Sequence, residues 1–155
     1  MRRYKQEITD KNEIEKILRS AEVARIALNR KDSAPYILPM NFAYEGGIFY
    51  FHCAPVGTKL ELIKEDPRIS IEIEAVGGLE KAGTGNPCDW GMEYRSVIAE
   101  GSAVMLDDFE AKKAALELIV ARFSDENTAA MTEAAIRAVA VFSVRAEKIS
   151  AKQSD

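Results

Sequence analysis

The segment IFYFHCAPVGTKLELIKEDPRISIEIEA, residues 48–75, predicts a strand, a helix and a second strand in direct succession. Residues 48–53 are apolar and favour extended structure, and Pro55 and Gly57 then interrupt the chain. A short helix is expected from Thr58 until Pro67 ends it. Beyond Pro67, isoleucines alternate with polar residues, which is typical of a strand that buries one face. This succession predicts a fold in which helices flank a sheet.

The flanking sequence adds strands on both sides of this segment. They are expected over residues 23–30, 34–44, 93–106 and 139–150, and helices over 9–21, 107–123 and 126–138. Pro39 marks an edge or a bulge, Gly101 a bulge or a bend, and residues 76–90 a mobile loop. Six strands joined mostly by short turns predict an antiparallel α+β fold, which can curl into a small six-stranded barrel.

Composition limits the classes of function. The 155 residues suit one domain, residues 1–155, with a polar C-terminal tail at 150–155. A net charge of −4 argues against a nucleic-acid partner, and no apolar run is long enough for a membrane helix. Cys53 and Cys88 show no CxxC pattern and are expected as free thiols, which favours the cytoplasm.

The start of the predicted helix at residue 58 is a candidate anion site. Gly57 permits close approach of a ligand, Thr58 offers a hydroxyl group, and Lys59 supplies a positive charge beside unpaired backbone N–H groups. The pattern is short, so a helix start with a solvated lysine explains it as well.

His52 is the only histidine, and it lies at the end of a strand. Alternation places it on one face with Tyr50, while Phe49 and Phe51 occupy the other. A structural role is one interpretation. The other is a hydrogen-bond or proton donor close to the anion site. Metal binding is not predicted, because there is no second histidine and the cysteines lack ligand spacing.

Two further stretches carry candidate binding residues. In ILPMNF the proline breaks the ladder, so the backbone from Leu38 to Asn41 is free to face a flat heterocycle, or the proline simply protects an edge strand. In CDWGMEYRSVI, Trp90 is the only tryptophan, and it either covers a ligand or a partner subunit or fills the core.

Taken together, PMNF at 39–42, YFHCAPVGTKLELI at 50–63 and CDWGMEYRSV at 88–97 resemble a known group of proteins. They are similar to the pyridoxamine 5′-phosphate oxidase-like, FMN-binding split-barrel superfamily, and within it to the nitroimidazole-resistance (Nim-type) flavoproteins. The likeness covers roughly residues 20–106. It implies a homodimer with FMN at the subunit interface.

The resemblance also assigns residues to roles. It implies cofactor contacts from these positions: Pro39, Met40, Asn41, His52, Cys53, Thr58, Lys59, Trp90, Tyr94, Arg95 and Ser96. His52 is the implied catalytic residue, beside the flavin. Relatives often carry a basic residue where this chain has Thr58. Either Lys59 and backbone N–H groups hold the phosphate alone, or Arg95 or Arg68 supplies the missing charge.

The leading hypothesis is therefore a cytoplasmic, homodimeric, FMN-dependent oxidoreductase that reduces a small organic substrate such as a nitroaromatic compound. The alternative on the same barrel is a non-catalytic flavin- or haem-binding protein. A third hypothesis is an oligomeric scaffold whose cleft has lost its ligand.

Overall fold

The computed structural model describes residues 4–154, which form four helices and nine strands. The strands are β1 Glu7–Ile8, β2 Val23–Leu28, β3 Tyr36–Asn41, β4 Ala43–Glu45, β5 Ile48–Cys53, β6 Arg68–Glu80, β7 Gly91–Met105, β8 Ala140–Arg145 and β9 Lys148–Gln153. The helices are α1 Lys11–Ser20, α2 Thr58–Glu65, α3 Phe109–Ala121 and α4 Glu133–Ala138. Short 3-10 turns occupy Tyr4–Gln6 and Pro87–Asp89.

All strand pairs are antiparallel, and the main sheet has the order β3-β2-β6-β7-β8-β5-β4. β9 pairs with β7 and with β1. The antiparallel α+β prediction is confirmed. The six-stranded barrel is corrected to a nine-stranded sheet, and its end strands β3 and β4 are not paired with each other within residues 4–154.

The three additional strands have simple origins. The predicted strand 34–44 divides at Phe42 into β3 and β4, and the predicted strand 139–150 divides after Arg145 into β8 and β9. The two-residue β1 was not predicted. Pro39 lies in β3, which is at one end of the sheet order, so its interpretation as an edge residue is confirmed.

Along one edge, β7 pairs with two different strands in succession. Residues Arg95–Glu100 pair with β9, whereas Ala103–Met105 pair with β8. Gly101 lies between these two pairings, where a Cβ atom would clash with the carbonyl oxygen of Arg145. The ladder with β6 continues through Gly101 without a shift in register, so the position is not a bulge in that ladder.

Two segments are more regular than predicted. In the expected loop 76–90, β6 extends to Glu80 and pairs there with Gly91, after a register shift between Val76 and Leu79 that contains two glycines. The expected polar tail 150–155 is β9 as far as Gln153, and Ala151 is buried against Val97. A polar strand pairs here because its outward positions remain exposed.

The core lies on the inner face of the sheet. Ile69, Ile71 and Ile73 are buried, as the alternation in β6 predicted, and α1 buries its apolar stripe against the same core. A second cluster beneath α3 contains Ala115, Leu116, Ile136 and Val141. α3 therefore packs against β5 and β8, next to the end of β5 that carries His52.

Within the described range, none of the helices combines the length and apolar character that crossing a bilayer requires.

Candidate functional site

His52, Cys53 and Lys59 form one electrostatic cluster at the end of β5. The strand places Phe49 and Phe51 in the core and turns His52 outward, as alternation predicted. Partial burial, and then the nearby charge of Lys59, lower the pKa of His52 from its ordinary value. Burial raises the pKa of the Cys53 thiol, while Lys59 opposes that shift. At neutral pH the imidazole and the thiol are therefore both uncharged.

The start of α2 is open to ligands. Gly57 has φ 130°, no side chain caps the helix, and a Cβ atom added at Gly57 would meet no atom within 4 Å. The carbonyl of Gly57 accepts the N–H groups of Leu60 and Glu61 at 3.0 and 3.3 Å. The N–H groups of Thr58 and Lys59 lie in the first turn, where the helix itself provides no acceptor. An anion placed here would meet free donors and the partial positive charge of the helix.

A cavity of 330 Å³ lies directly beside His52. Its walls are formed by Asn41, His52, Ile119, Val120, Phe123, Ser124 and Thr128. Thr58 and Lys59 are not among these wall residues. The imidazole therefore borders a predominantly apolar cavity, whereas the start of α2 is a separate site with a cationic side chain.

The predicted residues of β3 point in two directions. Pro39 and Asn41 pair with Arg25 and Val23 on the outer face of the sheet, and both are exposed. The side chain of Met40 points inward and is only 8% exposed, so its backbone alone is available to a ligand. The side-chain amide of Asn41 donates to the carbonyl of Glu22 at 3.1 Å, which fixes the orientation of this cavity wall.

The predicted residues at 90–96 lie far from His52 in the fold. β7 begins to pair with β8 only at Ala103, and the strand from Ser96 to Ala103 is roughly 23 Å long at ~3.3 Å per residue. β8 then separates β7 from β5. Trp90 is 37% exposed with the Lys81 ammonium 5.0 Å from its ring, so it does not fill the core. A single chain does not bring these residues to His52.

Neighbouring positions on β7 face opposite sides of the sheet. Tyr94 and Ser96 pair with Val76 and Glu74 on the outer face, whereas Arg95 lies opposite Ala75 on the inner side. The Tyr94 hydroxyl donates to the side chain of Gln6 at 3.5 Å. These positions line a different part of the molecule from the cavity at His52.

The second cation expected near the anion site is not supplied by Arg68 in this chain. Its guanidinium donates to both carboxylate oxygens of Asp66, at 2.9 and 2.6 Å, beyond the C-terminal end of α2. Arg95 lies on β7 opposite Ala75, on the inner side of the sheet. Lys59 is the cation whose charge reaches His52 and Cys53.

Sequence reasoning missed the contribution of α3 and the residues after it. Helices were predicted over residues 107–123 and 126–138, but Phe123, Ser124 and Thr128 were given no role in a site. Nothing in their local pattern distinguishes them from an ordinary helix end. Only the packing of α3 across β5 brings them to His52, and that contact joins distant parts of the chain.

Within residues 4–154, no group of three or more histidine, cysteine, aspartate or glutamate side chains is arranged to hold a metal ion.

Comparison with known proteins supplies a family. The profile of the family described as Pyridoxamine 5′-phosphate oxidase matches residues 10–153. A candidate 5-nitroimidazole antibiotic resistance protein from Bacteroides thetaiotaomicron VPI-5482 has a similar structure, with TM-score 0.83 and 26% identity over 95% of this chain and 86% of that one. An FAD and heme binding protein from Mycobacterium smegmatis has TM-score 0.85 and 21% identity, covering 97% of this chain and 74% of its own.

A sequence relative is more limited. An uncharacterized protein of Rhizobium meliloti (strain 1021) is 29% identical over 66 residues, which span 43% of this chain and 42% of that relative.

Proposed function

Since the chain belongs to the pyridoxamine 5′-phosphate oxidase family, we propose that it binds FMN and reduces a small organic substrate at the bound flavin. The observation that carries the proposal is the open start of α2 beside the His52, Cys53 and Lys59 cluster. An anion-binding helix start and a neutral imidazole match the two ends of a flavin mononucleotide.

The residues at the start of α2 fit the phosphate group. The free N–H groups of the first turn and the hydroxyl of Thr58 would donate to phosphate oxygens, and Lys59 would neutralise part of the charge. Gly57 leaves open space at this point, because no neighbouring atom occupies the position of a Cβ atom.

The isoalloxazine ring would lie along the exposed face of β3. Pro39 and Asn41 face outward there, and the backbone of Met40 runs between them. His52 and Cys53 would approach the ring from the end of β5. Trp90, Tyr94, Arg95 and Ser96 would come from a second copy of the chain, because one chain keeps them apart from His52.

A second copy is also supported by the outer face of the sheet. Cross-strand pairing places apolar, exposed side chains on that face: Ile37 (64% exposed), Val76 (56%), Met92 (48%) and Ile98 (45%). The ion pairs of Arg25 with Glu72 and Glu74 lie on the same face, so the exposed apolar groups are set among charges, as is usual at non-obligate interfaces. We propose a homodimer through this face, and sedimentation of Ile98→Glu as a monomer, with the unsubstituted chain dimeric, tests it.

Bound flavin supplies hydride or electron transfer, and the protein supplies orientation and protection from water. The lowered pKa of His52 leaves its imidazole neutral near pH 7. A neutral ring donates a hydrogen bond through one N–H but does not deliver a proton as readily as imidazolium. We therefore assign His52 the task of orienting an oxygen atom of the substrate.

The test of flavin binding compares two lysines of α2. Lys59→Met should weaken FMN affinity by about tenfold or more, since charge-assisted contacts to phosphate are strong. Lys64→Met, in the last turn of the same helix, should change it by less than about twofold because a charge there is screened from the phosphate. Quenching of FMN fluorescence on titration measures both. A chain that binds no FMN, or equal effects of the two variants, would contradict the proposal.

The alternative is a non-catalytic flavin- or haem-binding protein. A neutral imidazole in a cavity is also the usual protein ligand of haem iron, and His52 has that state. Haem titration gives a Soret shift that His52→Ala abolishes if this role is correct.

A turnover assay separates the two functions. Oxidation of NADPH by the FMN-loaded chain with a nitroaromatic or quinone acceptor supports the oxidoreductase, and flavin binding without turnover supports the non-catalytic alternative.

The proposed location is the cytoplasm. Both cysteines are free, Cys53 partly buried and Cys88 exposed, which suits a reducing compartment.

A further inference from the structure

Phe123 is a large aromatic side chain that lines the cavity beside His52. It follows the last turn of α3, and 46% of its surface is exposed. The phenylalanines Phe42, Phe49, Phe51 and Phe142 are fully buried in the core, so the exposure of Phe123 is not typical of this chain. It belongs to neither core cluster and lines the cavity.

The backbone around Phe123 is held firmly. The N–H groups of Phe123 and Ser124 both donate to the carbonyl of Val120, at 2.9 and 2.8 Å. The preceding residue, Arg122, donates to the carbonyls of Leu18 and Arg19 at 3.2 Å, and also to that of Ala21, at the end of α1.

Arg122 fixes α3 against the rest of the fold in a second way. Its guanidinium lies 4.6 Å from the centre of the Phe42 ring, and burial lowers the pKa of Arg122. These contacts tie the end of α3 to α1 and to the core. Phe123 is therefore presented to the cavity in a fixed position and not on a free loop.

The cavity has two kinds of wall. Ile119, Val120 and Phe123 contribute apolar side chains, and polar ones come from Asn41, His52, Ser124 and Thr128. A volume of 330 Å³ is near the lower limit of small-molecule sites, which suits a compound with a single ring. No wall residue carries a formal charge at neutral pH, because the lowered pKa keeps His52 neutral.

We propose that Phe123 is the specificity-determining residue of this site, and that it selects small, flat, uncharged aromatic substrates. The substrate ring packs against Phe123 between α3 and the bound flavin, and a polar substituent accepts a hydrogen bond from His52. This inference rests on the proposed function, since the flavin forms one side of the substrate position. The ring contact supplies affinity, and the imidazole supplies orientation.

The single histidine provides the test. Because the chain has one His, the Cε1 proton of its imidazole gives a single proton NMR signal of that type in the FMN-loaded protein. The probes are 4-nitrobenzyl alcohol, which is aromatic, and nitroethane, which carries the same nitro group without a ring. Both are titrated at neutral pH against oxidised holoprotein, where no reduction takes place, and the shift of the His52 signal reports binding.

Phe123→Ala should weaken binding of 4-nitrobenzyl alcohol by about fivefold to twentyfold, since an aromatic contact is lost, and should change nitroethane binding by less than about twofold. Phe123→Leu keeps an apolar side chain and disturbs the fold less than alanine does. It should weaken binding of 4-nitrobenzyl alcohol by a smaller factor. Val104→Ala is the control, because Val104 is 60% exposed and does not line the cavity.

Three results would overturn the inference. One is equal weakening of both probes by Phe123→Ala, and another is no weakening of either. The third is a wild-type His52 signal that 4-nitrobenzyl alcohol does not move. FMN titration of the same samples separates this outcome from failure of the proposed function: FMN bound normally with no effect of Phe123 rejects the inference alone, and absence of FMN binding rejects both.

Discussion

The starts of α2 and α3 differ in a way that separates folding from binding. At α3, the carboxylate of Asp108 accepts the N–H of Ala111 at 2.9 Å and completes the first turn. At α2, Gly57 holds the capping position and offers no side chain. At α3 a side chain of the same chain accepts an N–H of the first turn. At α2 no side chain does so, and the N–H donors are open to a ligand.

The remaining helices begin as α3 does. α1 and α4 are capped by Asp10 and Thr132, whose side chains accept backbone N–H groups. Glycine at the capping position makes a helix less stable than a capping side chain does by only a few tenths of a kcal/mol, roughly, so the open start of α2 has a small cost. Anions, phosphate among them, are the ligands that helix starts with free N–H groups bind.

The largest effect is expected from Gly57→Ala, which breaks the open start of α2. A φ of 130° is unfavourable for alanine, at a cost of about 1–3 kcal/mol. The turn should relax and displace the N–H groups that face the anion. We expect FMN affinity to fall by more than about tenfold, together with a loss in the unfolding free energy, measured by titration and by urea denaturation.

Gly46→Ala is the matched control for this variant. Gly46 lies in the hairpin turn between β4 and β5, has φ 57° and has no atom within 4 Å of a Cβ position. It should lose stability while FMN affinity stays unchanged. If the two variants weaken FMN equally, the effect of Gly57 is on the fold and the comparison fails.

A smaller effect is expected from Asp108→Ala, which removes the cap of α3. The unfolding free energy should fall by about 1 kcal/mol, because one N–H of the first turn loses its acceptor. FMN affinity should not change, since α3 does not contribute to the phosphate site. Urea denaturation and FMN titration of one sample measure both quantities, and a drop in affinity comparable to that of Gly57→Ala would remove the distinction between the helices.

The elements could be predicted from sequence wherever the signal is local. A helix was predicted over residues 107–123, where α3 lies, and the isoleucine alternation predicted β6. The division of residues 34–44 at Phe42, and the continuation of the sheet into Ser150–Gln153, depend on which strand lies alongside. That information is in the pairing of distant segments, as with Ala151 and Val97.

The candidate site divides in the same manner. His52, Thr58 and Lys59 lie within eight positions of the sequence, so their neighbourhood is a local consequence of a strand, a turn and a helix. Phe123 reaches His52 only through the packing of α3 on β5, and no local pattern indicates it. Trp90 and Ser96 were joined to His52 by resemblance, and a single chain leaves them apart.

The smallest effect concerns the titration of His52. Burial and then Lys59 lower its pKa, so its NMR midpoint should lie below the ordinary value of 6.5. Lys59→Met should raise that midpoint, yet leave it below 6.5, because burial is the larger cause and remains. The unfolded chain takes up this proton at higher pH than the folded chain does, so His52 makes the fold less stable as pH falls below 6.5 and contributes no change above it. His52→Gln should flatten that part of the stability profile. A midpoint above 6.5, or one that Lys59→Met lowers, would show that α2 does not present its charge to the imidazole.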